Sequence, residues 1–292
     1  MSKEKLTRKE VSQLNYYDFK AYLGVPLFQF GGLRVAEDLI RRCGIHEESN
    51  VLEVGCGTGF MACRISEEKN CRIVGIDISE RMIGMARERA EKLSLEDKAT
   101  FRVADAKELP FEDNTFDVVF AQFVTVLLDK KKALAEFMRV LKPGGYLGVV
   151  EIFKDTLIPF ETSQEIHEAE RILSEAIELD FHLSTPTQWK SWFTDAGVQK
   201  IQTAEHKRIA VLETLKFIKI VGILPAFKIV FRYLYHLFFN IGVRRRFLPT
   251  HRAKKNLLRR KNTSKYIGVM ICVGFKSTKK ILVVSRGSSI TL

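Results

Sequence analysis

Short, uninterrupted apolar runs alternate along this chain with longer stretches whose apolar residues recur at helical spacing. NVLEVG (50–55), CRIVGID (71–77), ATFRVAD (99–105), FDVVFAQ (116–122) and GYLGVVEIF (145–153) have the pattern of strands buried on both faces. Between them, 31–45 predicts a helix ending near Gly44, 60–68 a second helix, and 79–93 a third with Ser79 as its N-cap. Residues 130–142 predict a fourth, closed by the Pro-Gly-Gly at 143–145. Residues 154–183 read as helical and connective, and 185–197 as a helix starting at Thr185 or Thr187. Residues 198–210 read as a strand and 265–275 as a late strand. Strands alternating with helices imply a doubly wound α/β fold with helices on both faces of a mainly parallel sheet.

The first strand runs into a turn with glycines at alternate places, Gly55, Gly57 and Gly59. Doubly wound sheets bind ligands at such a turn. The dinucleotide fingerprint needs its third glycine at position 60, which is Phe60, and no Walker Lys-Ser/Thr follows. Both phosphate-binding patterns are therefore disfavoured. Three acids fall at the predicted carboxyl edge: Glu53 in strand one, Asp77 ending strand two and Asp105 ending strand three. An acid at the second position suits a ribose diol, because a carboxylate accepts two hydroxyl hydrogen bonds. Asp105 suits an exocyclic amine, and Glu53 an ammonium group. Acids would repel a pyrophosphate but attract a sulfonium amino acid, which points to S-adenosylmethionine.

VLEVGCGTG, VGIDIS, VADAKELPF, FDVVFAQ and FMRVLKPGGYL, in that order, resemble the successive motifs of class I S-adenosylmethionine-dependent methyltransferases. The likeness spans about Asn50 to Phe153 and is nearest to the ubiquinone/menaquinone and sterol methyltransferase-like group. It implies a seven-stranded, Rossmann-like sheet with a helical insertion before an antiparallel last strand. It also implies that Gly55, Gly57 and Gly59 line the methionine part and that Asp77 holds the ribose. Ile78 and Met82 would pack near adenine, Asp105 and Ala106 would meet its amine, and Gln122 and Phe123 would sit near the sulfonium. The aromatic segment 15–32 would fold over the cofactor, with Tyr17, Tyr22 and Phe28 closing the pocket; ordinary packing of a terminal helix is the alternative. The implied division is a cap segment at 1–45, a methyltransferase domain at 46–276 carrying a basic apolar insertion at 207–262, and a loose tail at 277–292.

Methyl transfer is an in-line displacement in which the protein mainly aligns donor and acceptor. No general base is evident, and no catalytic residue is assigned. The Asn/Asp-Pro-Pro-Tyr motif of amine methylation is absent after strand four. Glu151, His167 and His182 are the candidates for proton transfer.

Charge changes the picture in one place. The net charge is +12, yet 207–261 holds fifteen Lys or Arg against one acid, Glu213, a local balance of +14, so the remainder sums to −2. The same region is apolar. The stretch 211–243 is interrupted by Lys216, Lys219, Pro225, Lys228 and Arg232, too often for a bilayer span of roughly 20 apolar residues. Pro225 is expected to divide it. Beyond it, Lys228, Arg232, His236 and Asn240 recur every four residues as a polar stripe, with Phe227, Phe231 and Phe238 among the apolar remainder. A cationic amphipathic helix suits peripheral membrane contact through 211–261. An RNA or protein acceptor, a subunit contact or a lid on the chain's own domain are the other occupants of such a segment. The five cysteines form no CxxC pair, so no metal is expected, and the polar N-terminus is no secretory signal. The expected place is the cytoplasm, with association at the membrane's cytoplasmic face. The expected reaction is methylation of a small hydrophobic or lipid-like acceptor. A protein or RNA acceptor and a non-catalytic cofactor-binding protein are the alternatives.

Overall fold

The sheet is built outward from β1 (Asn50–Val54), which pairs in parallel with β2 (Arg72–Asp77) and β4 (Phe116–Gln122). The computed structural model describes residues 6–25, 32–207 and 222–278. Phe28, the first part of the insertion at 208–221 and the tail from 279 lie outside them. β3 (Ala99–Val103) closes one edge. β5 (Leu141–Lys154) pairs in parallel with β4, β7 (Ile267–Lys276) runs antiparallel beside β5, and β6 (Val198–Lys207) completes the other edge. The order is β3-β2-β1-β4-β5-β7-β6, the seven-stranded Rossmann-like arrangement expected from the motifs.

Both faces of the sheet are covered, which is why its central strands carry near-continuous apolar runs. α3 (Leu33–Arg42), α4 (Phe60–Lys69) and α5 (Glu80–Lys92) pack one face around Leu39, Ile65, Phe101 and Phe120. α6 (Lys130–Val140) and α8 (Pro186–Asp195) pack the other, around Leu52, Phe137, Trp189 and Phe193. α7 (Phe160–Ile177) lies between β5 and α8 in sequence. Ser79 caps α5 by accepting from Met82 N–H at 3.0 Å, and Thr185, not Thr187, caps α8 in a capping box. The Pro-Gly-Gly does not close α6. That helix ends at Val140, and Leu141 already has extended backbone, so Pro143 to Gly145 lie within β5 beside a register shift opposite Phe116 and Val118.

Two helices before the domain, α1 (Arg8–Gln13) and α2 (Tyr16–Leu23), pack on two helices of the insertion, α9 (Ile223–Phe239) and α10 (Ile241–Arg259). A short α11 (Lys261–Ser264) leads back to the sheet. On the N-terminal side of Pro225 the apolar region lies outside the described residues up to 221, and the expected division there lies outside them with it. Pro225 itself is the third residue of α9, in the first turn, where a helix needs no amide from it.

The second half of the polar stripe turns inward, while Lys228 and Arg232 stay exposed. His236 and Asn240 are buried, 5% and 7% exposed, while Phe227 is 68% and Phe238 72% exposed. Asn240 does two jobs there. Its side chain accepts from Val243 N–H at 3.2 Å, capping α10, and donates to Arg8 C=O at 2.7 Å, tying down α1. Arg8 donates to the Tyr235 hydroxyl at 2.8 Å, Arg246 to Leu14 C=O at 3.1 Å, and Arg232 to Tyr22 C=O at 3.3 Å. The His236 ring lies edge-on to Phe19 and Tyr22, and burial, with Arg232 and Arg8 nearby, lowers its pKa.

Phe247 of α10 stacks on Phe19 of α2 with centroids 4.5 Å apart, and both rings are fully buried. Phe247→Ala is expected to lower stability by about 3 kcal/mol through the lost burial and residual cavity. In urea titration this appears as an earlier midpoint, and in limited proteolysis as faster cleavage within residues 6–25.

Candidate active site

The carboxyl ends of β1, β2, β4 and β5 bring Glu53, Asp77, Gln122 and Glu151 to one edge of the sheet, next to the turn at 55–59. The three glycines of that turn serve different ends. A Cβ on Gly55 would lie 2.1 Å from Val124 Cγ2, so this position lets the loop after β4 close against the turn. A Cβ on Gly59 would lie 2.8 Å from Ala86 Cβ and Phe101 Cζ, so Gly59 seats the turn on α5 and β3. Gly57, at φ +53°, is the one of the three that fronts open space, with nothing within 4 Å of an added Cβ. Of the trio expected to line a ligand, only Gly57 has room beside it.

Asp77 is held from both sides. Gly57 N–H donates to Oδ2 and Ser79 N–H to Oδ1, each at 3.0 Å. These bonds fix the carboxylate plane and leave further lone pairs free. Burial, with the nearby charge of Asp18, raises the Asp77 pKa, and the amides of Ser79, Gly57 and Ile78 oppose that rise. Ile78, beside it, is 75% exposed, an apolar side chain at the mouth of the site. Met82 is buried in the core, 2% exposed, and reaches no open surface. Ala106 is nearly buried, whereas Asp105 is half-exposed. Asp105 accepts from Lys107 N–H at 2.9 Å, with Lys107 Nζ 3.5 Å from its other oxygen.

Glu53 is 4% exposed, and its Oε2 has no hydrogen-bond partner among the described residues. Burial, aided by the charge of Asp77, pushes its carboxyl up to about 8 against the pull of the Ala62 amide. An orphaned buried carboxylate oxygen beside an open glycine turn is the signature of a site made for a cation. The acids here, with the apolar Ile78 at their edge, fit an amino acid carrying an ammonium, a sulfonium and an adenosine. A diphosphate does not fit them.

Glu151 is fully buried at the end of β5 and gathers the loop after β4. Its Oε1 accepts from Val124 N–H at 3.0 Å, from Val126 N–H at 3.2 Å and from the Thr125 hydroxyl. Its Oε2 is buried without a partner among the described residues, and burial pushes the carboxyl up to about 7. Gln122 is buried at the end of β4, and Phe123 follows at φ +58°. The two candidate histidines stand elsewhere. His167 Nδ1 lies 3.6 Å from Glu170 Oε2 on α7, and His182 Nε2 lies 2.8 Å from Asp180 Oδ1. Both rings are more than half exposed, and their contacts are with Glu170 and Asp180 rather than with Glu53, Asp77 or Glu151.

The N-terminal helices reach this edge through a contact that the residue order does not specify. Asp18 of α2 accepts from the Ser79 hydroxyl at 2.5 Å, so α2 lies over the start of α5. Tyr17 is half-buried, and its hydroxyl is held protonated by desolvation and by the charges of Tyr16, Asp77 and Glu151. It therefore stands near both carboxylates. Tyr22 faces the insertion instead, edge-on to His236 and under Arg232. Among the described residues no group of His, Cys, Asp and Glu is arranged to hold a metal ion.

A family model of methyltransferase domains matches residues 45–197. A Haemophilus influenzae protein described as uncharacterized is 33% identical over 190 residues, covering 64% of this chain and 73% of that one. The ubiquinone/menaquinone biosynthesis C-methyltransferase UbiE of Enterobacter sp. (strain 638) is 30% identical over 196 residues, 60% of this chain and 77% of that one. A solved phosphoethanolamine N-methyltransferase 2 of Haemonchus contortus, in complex with S-adenosylhomocysteine, superposes with a TM-score of 0.67 at 18% identity. That likeness covers 93% of this chain and 60% of that one, and it concerns the fold. With more than half of its length inside the family model and the family's sheet order intact, the chain belongs to the class I methyltransferases, whose cofactor is S-adenosylmethionine.

Proposed function

We propose that this methyltransferase acts on a small, hydrophobic or lipid-like acceptor. The roof over its site carries that reading. α2 lies across the carboxyl edge through Asp18 and Ser79 and brings the aromatic Tyr17 toward Asp77 and Glu151. A roofed edge suits an acceptor small enough to be enclosed, and an aromatic roof suits an apolar one. The UbiE relative, named for quinone biosynthesis, is consistent with it. The cap at 1–45 is a cover for the site in this reading.

The cofactor supplies a methyl group already activated by a sulfonium leaving group. The chain's own residues bind, orient and exclude water. Glu53 faces the ammonium, Asp77 accepts from the ribose hydroxyls, and Gly57 gives room for the methionine backbone. Ile78 covers adenine, with Ala106 and Asp105 at its amine. Met82 supports that wall from the core without touching the ring. Gln122 and Phe123 stand at the sulfonium end, and Tyr17 shields the transfer path from solvent. Glu151 uses Oε1 to hold the loop and keeps Oε2 for the acceptor's proton. A buried carboxyl near 7 is well placed to take a proton at neutral pH. His167 and His182 have no part.

Purified protein, isotopically labelled methyl donor and a cell extract test the reading by mass spectrometry. Label in the lipid fraction is the expected result. Label in RNA or protein alone, or cofactor binding with no turnover on any fraction, would overturn it.

The Glu53 role has a pH signature. Its unfolded carboxyl ionises near 4.5 and the buried one near 8, so the charge an ammonium needs appears only as pH rises through about 8. Affinity for S-adenosylhomocysteine is therefore expected to rise with pH up to about 8 and release a proton on binding, measured by calorimetry in buffers of different ionisation heat. For the protein alone the sign is opposite: stability falls as pH rises from 4.5 towards 8, because the unfolded chain ionises first. Glu53→Gln should remove the pH slope and weaken binding by about tenfold or more.

Glu151→Gln should lower kcat by about a hundredfold. It should also erase the acidic limb of the kcat profile, which in the unaltered enzyme rises as pH passes about 7. A purely loop-holding Glu151 would leave the shape of that profile intact.

A further inference from the structure

We infer that the outward face of α9 is a docking surface for an anionic lipid bilayer. Phe227, Val230, Phe231, Leu234 and Phe238 follow one another at helical spacing, and all five are exposed. The helix is thus reversed relative to an ordinary surface helix. Its polar residues, His236 and Asn240, are buried against α1 and α2, and its aromatic residues face out. An exposed apolar surface of this extent marks an interaction site rather than chance.

Charge identifies the occupant. No Asp or Glu occurs from Gly222 to Thr278, whereas Lys228, Arg232, Arg244 and Arg245 are exposed in and just after α9. Apolar residues inserting among acyl chains, with cations at the level of anionic headgroups, are the two terms of interfacial binding. A second copy of the same face would bring these cations opposite one another with no acid in the segment to pair them. No described helix is long and apolar enough to cross a membrane, so the surface lies on the bilayer rather than through it. At about 1.5 Å per residue, α9 lies flat along roughly 25 Å of the interface. α2 packs on the inner side of this helix, through Arg232 to Tyr22 C=O and His236 to Phe19. Docking therefore sets the roof of the active site about one helix spacing, ~10 Å, from the lipid.

The inference rests on α9 and its cations, not on the identity of the methyl acceptor. The full chain should co-sediment with phosphatidylcholine/phosphatidylglycerol vesicles at low salt and bind pure phosphatidylcholine vesicles more weakly. The triple change Phe227→Ser, Phe231→Ser, Phe238→Ser should reduce vesicle partitioning by about tenfold or more. It should leave the melting curve unchanged, because these rings meet solvent. Arg244→Gln with Arg245→Gln should weaken binding to the anionic vesicles by about fivefold per charge and leave binding to neutral vesicles unaltered.

Failure to co-sediment at low salt, or equal partitioning by the triple variant, would overturn the inference. So would lipid-free self-association that the triple variant abolishes, which would give the face to a second copy. Methylation of detergent-dispersed acceptor keeps the two proposals apart. If vesicle binding fails while that methylation persists, only the docking surface falls. If vesicles bind and no lipid is methylated, only the acceptor reading falls.

Discussion

The carboxylate of Asp77 joins three parts of this molecule. One oxygen accepts from the glycine turn after β1 and the other from the first residues of α5. Ser79, which supplies the second amide, turns its hydroxyl to Asp18 of the N-terminal cap. Turn, helix start and roof are thus registered on one buried anion. Burying a carboxylate is unfavourable unless its lone pairs are satisfied, and here backbone amides satisfy two of them in fixed directions. The same economy holds at Glu151, where one oxygen gathers three donors of the loop after β4. Both acids leave capacity unused on the side that faces the site. Glu53 takes the principle further, with one oxygen left wholly unpartnered among the described residues. The edge of the sheet is therefore an array of buried carboxyl groups, each held in place by the fold and each with an oxygen to spare for a cation or a proton.

Much of this was readable from the residue order. Strands buried on both faces write long apolar runs, so β1, β2 and β4 could be bounded to within a residue or two. Ser79 and Thr185 announced the helices they cap. The carboxyl edge could be located because acids that end consecutive parallel strands must fall on the same edge. The glycines were legible as a group but not as individuals. Which of them fronts a ligand depends on Val124, Ala86 and Phe101, residues from other elements. Ile78 and Met82, four apart, looked equivalent; one is 75% exposed and the other 2%. His167 and His182 are candidates on the residue order because they fall in the region expected to cover the acceptor. The structure sets them beside the buried Glu170 and the exposed Asp180 instead.

The insertion was the least legible part, for a definite reason. Periodicity shows that a helix has two faces, but not which one looks inward. A stripe of Lys228, Arg232, His236 and Asn240 reads as the wet side of a helix. In α9 its lower half is dry, because the cap offers the carbonyl of Arg8 and the rings of Phe19 and Tyr22 as partners. The information that orients α9 lies more than two hundred residues away, in the cap. Pro225 is ambiguous in a similar way, since a proline ends a helix or begins one according to where the first turn falls; here it stands in the first turn of α9.

Lys207, where β6 ends, pairs with Gly268, at the start of β7. The chain leaves the sheet and returns to it at facing positions on neighbouring strands, so the whole excursion between them is topologically the loop of a single hairpin. Such a loop can be lengthened, shortened or exchanged without moving any catalytic strand. The attachment is separate in topology but not in packing: α10 rests on the N-terminal helices through Phe247 and on α7 through Ala253 and Leu257, so a transplanted segment has to bring or rebuild both partners.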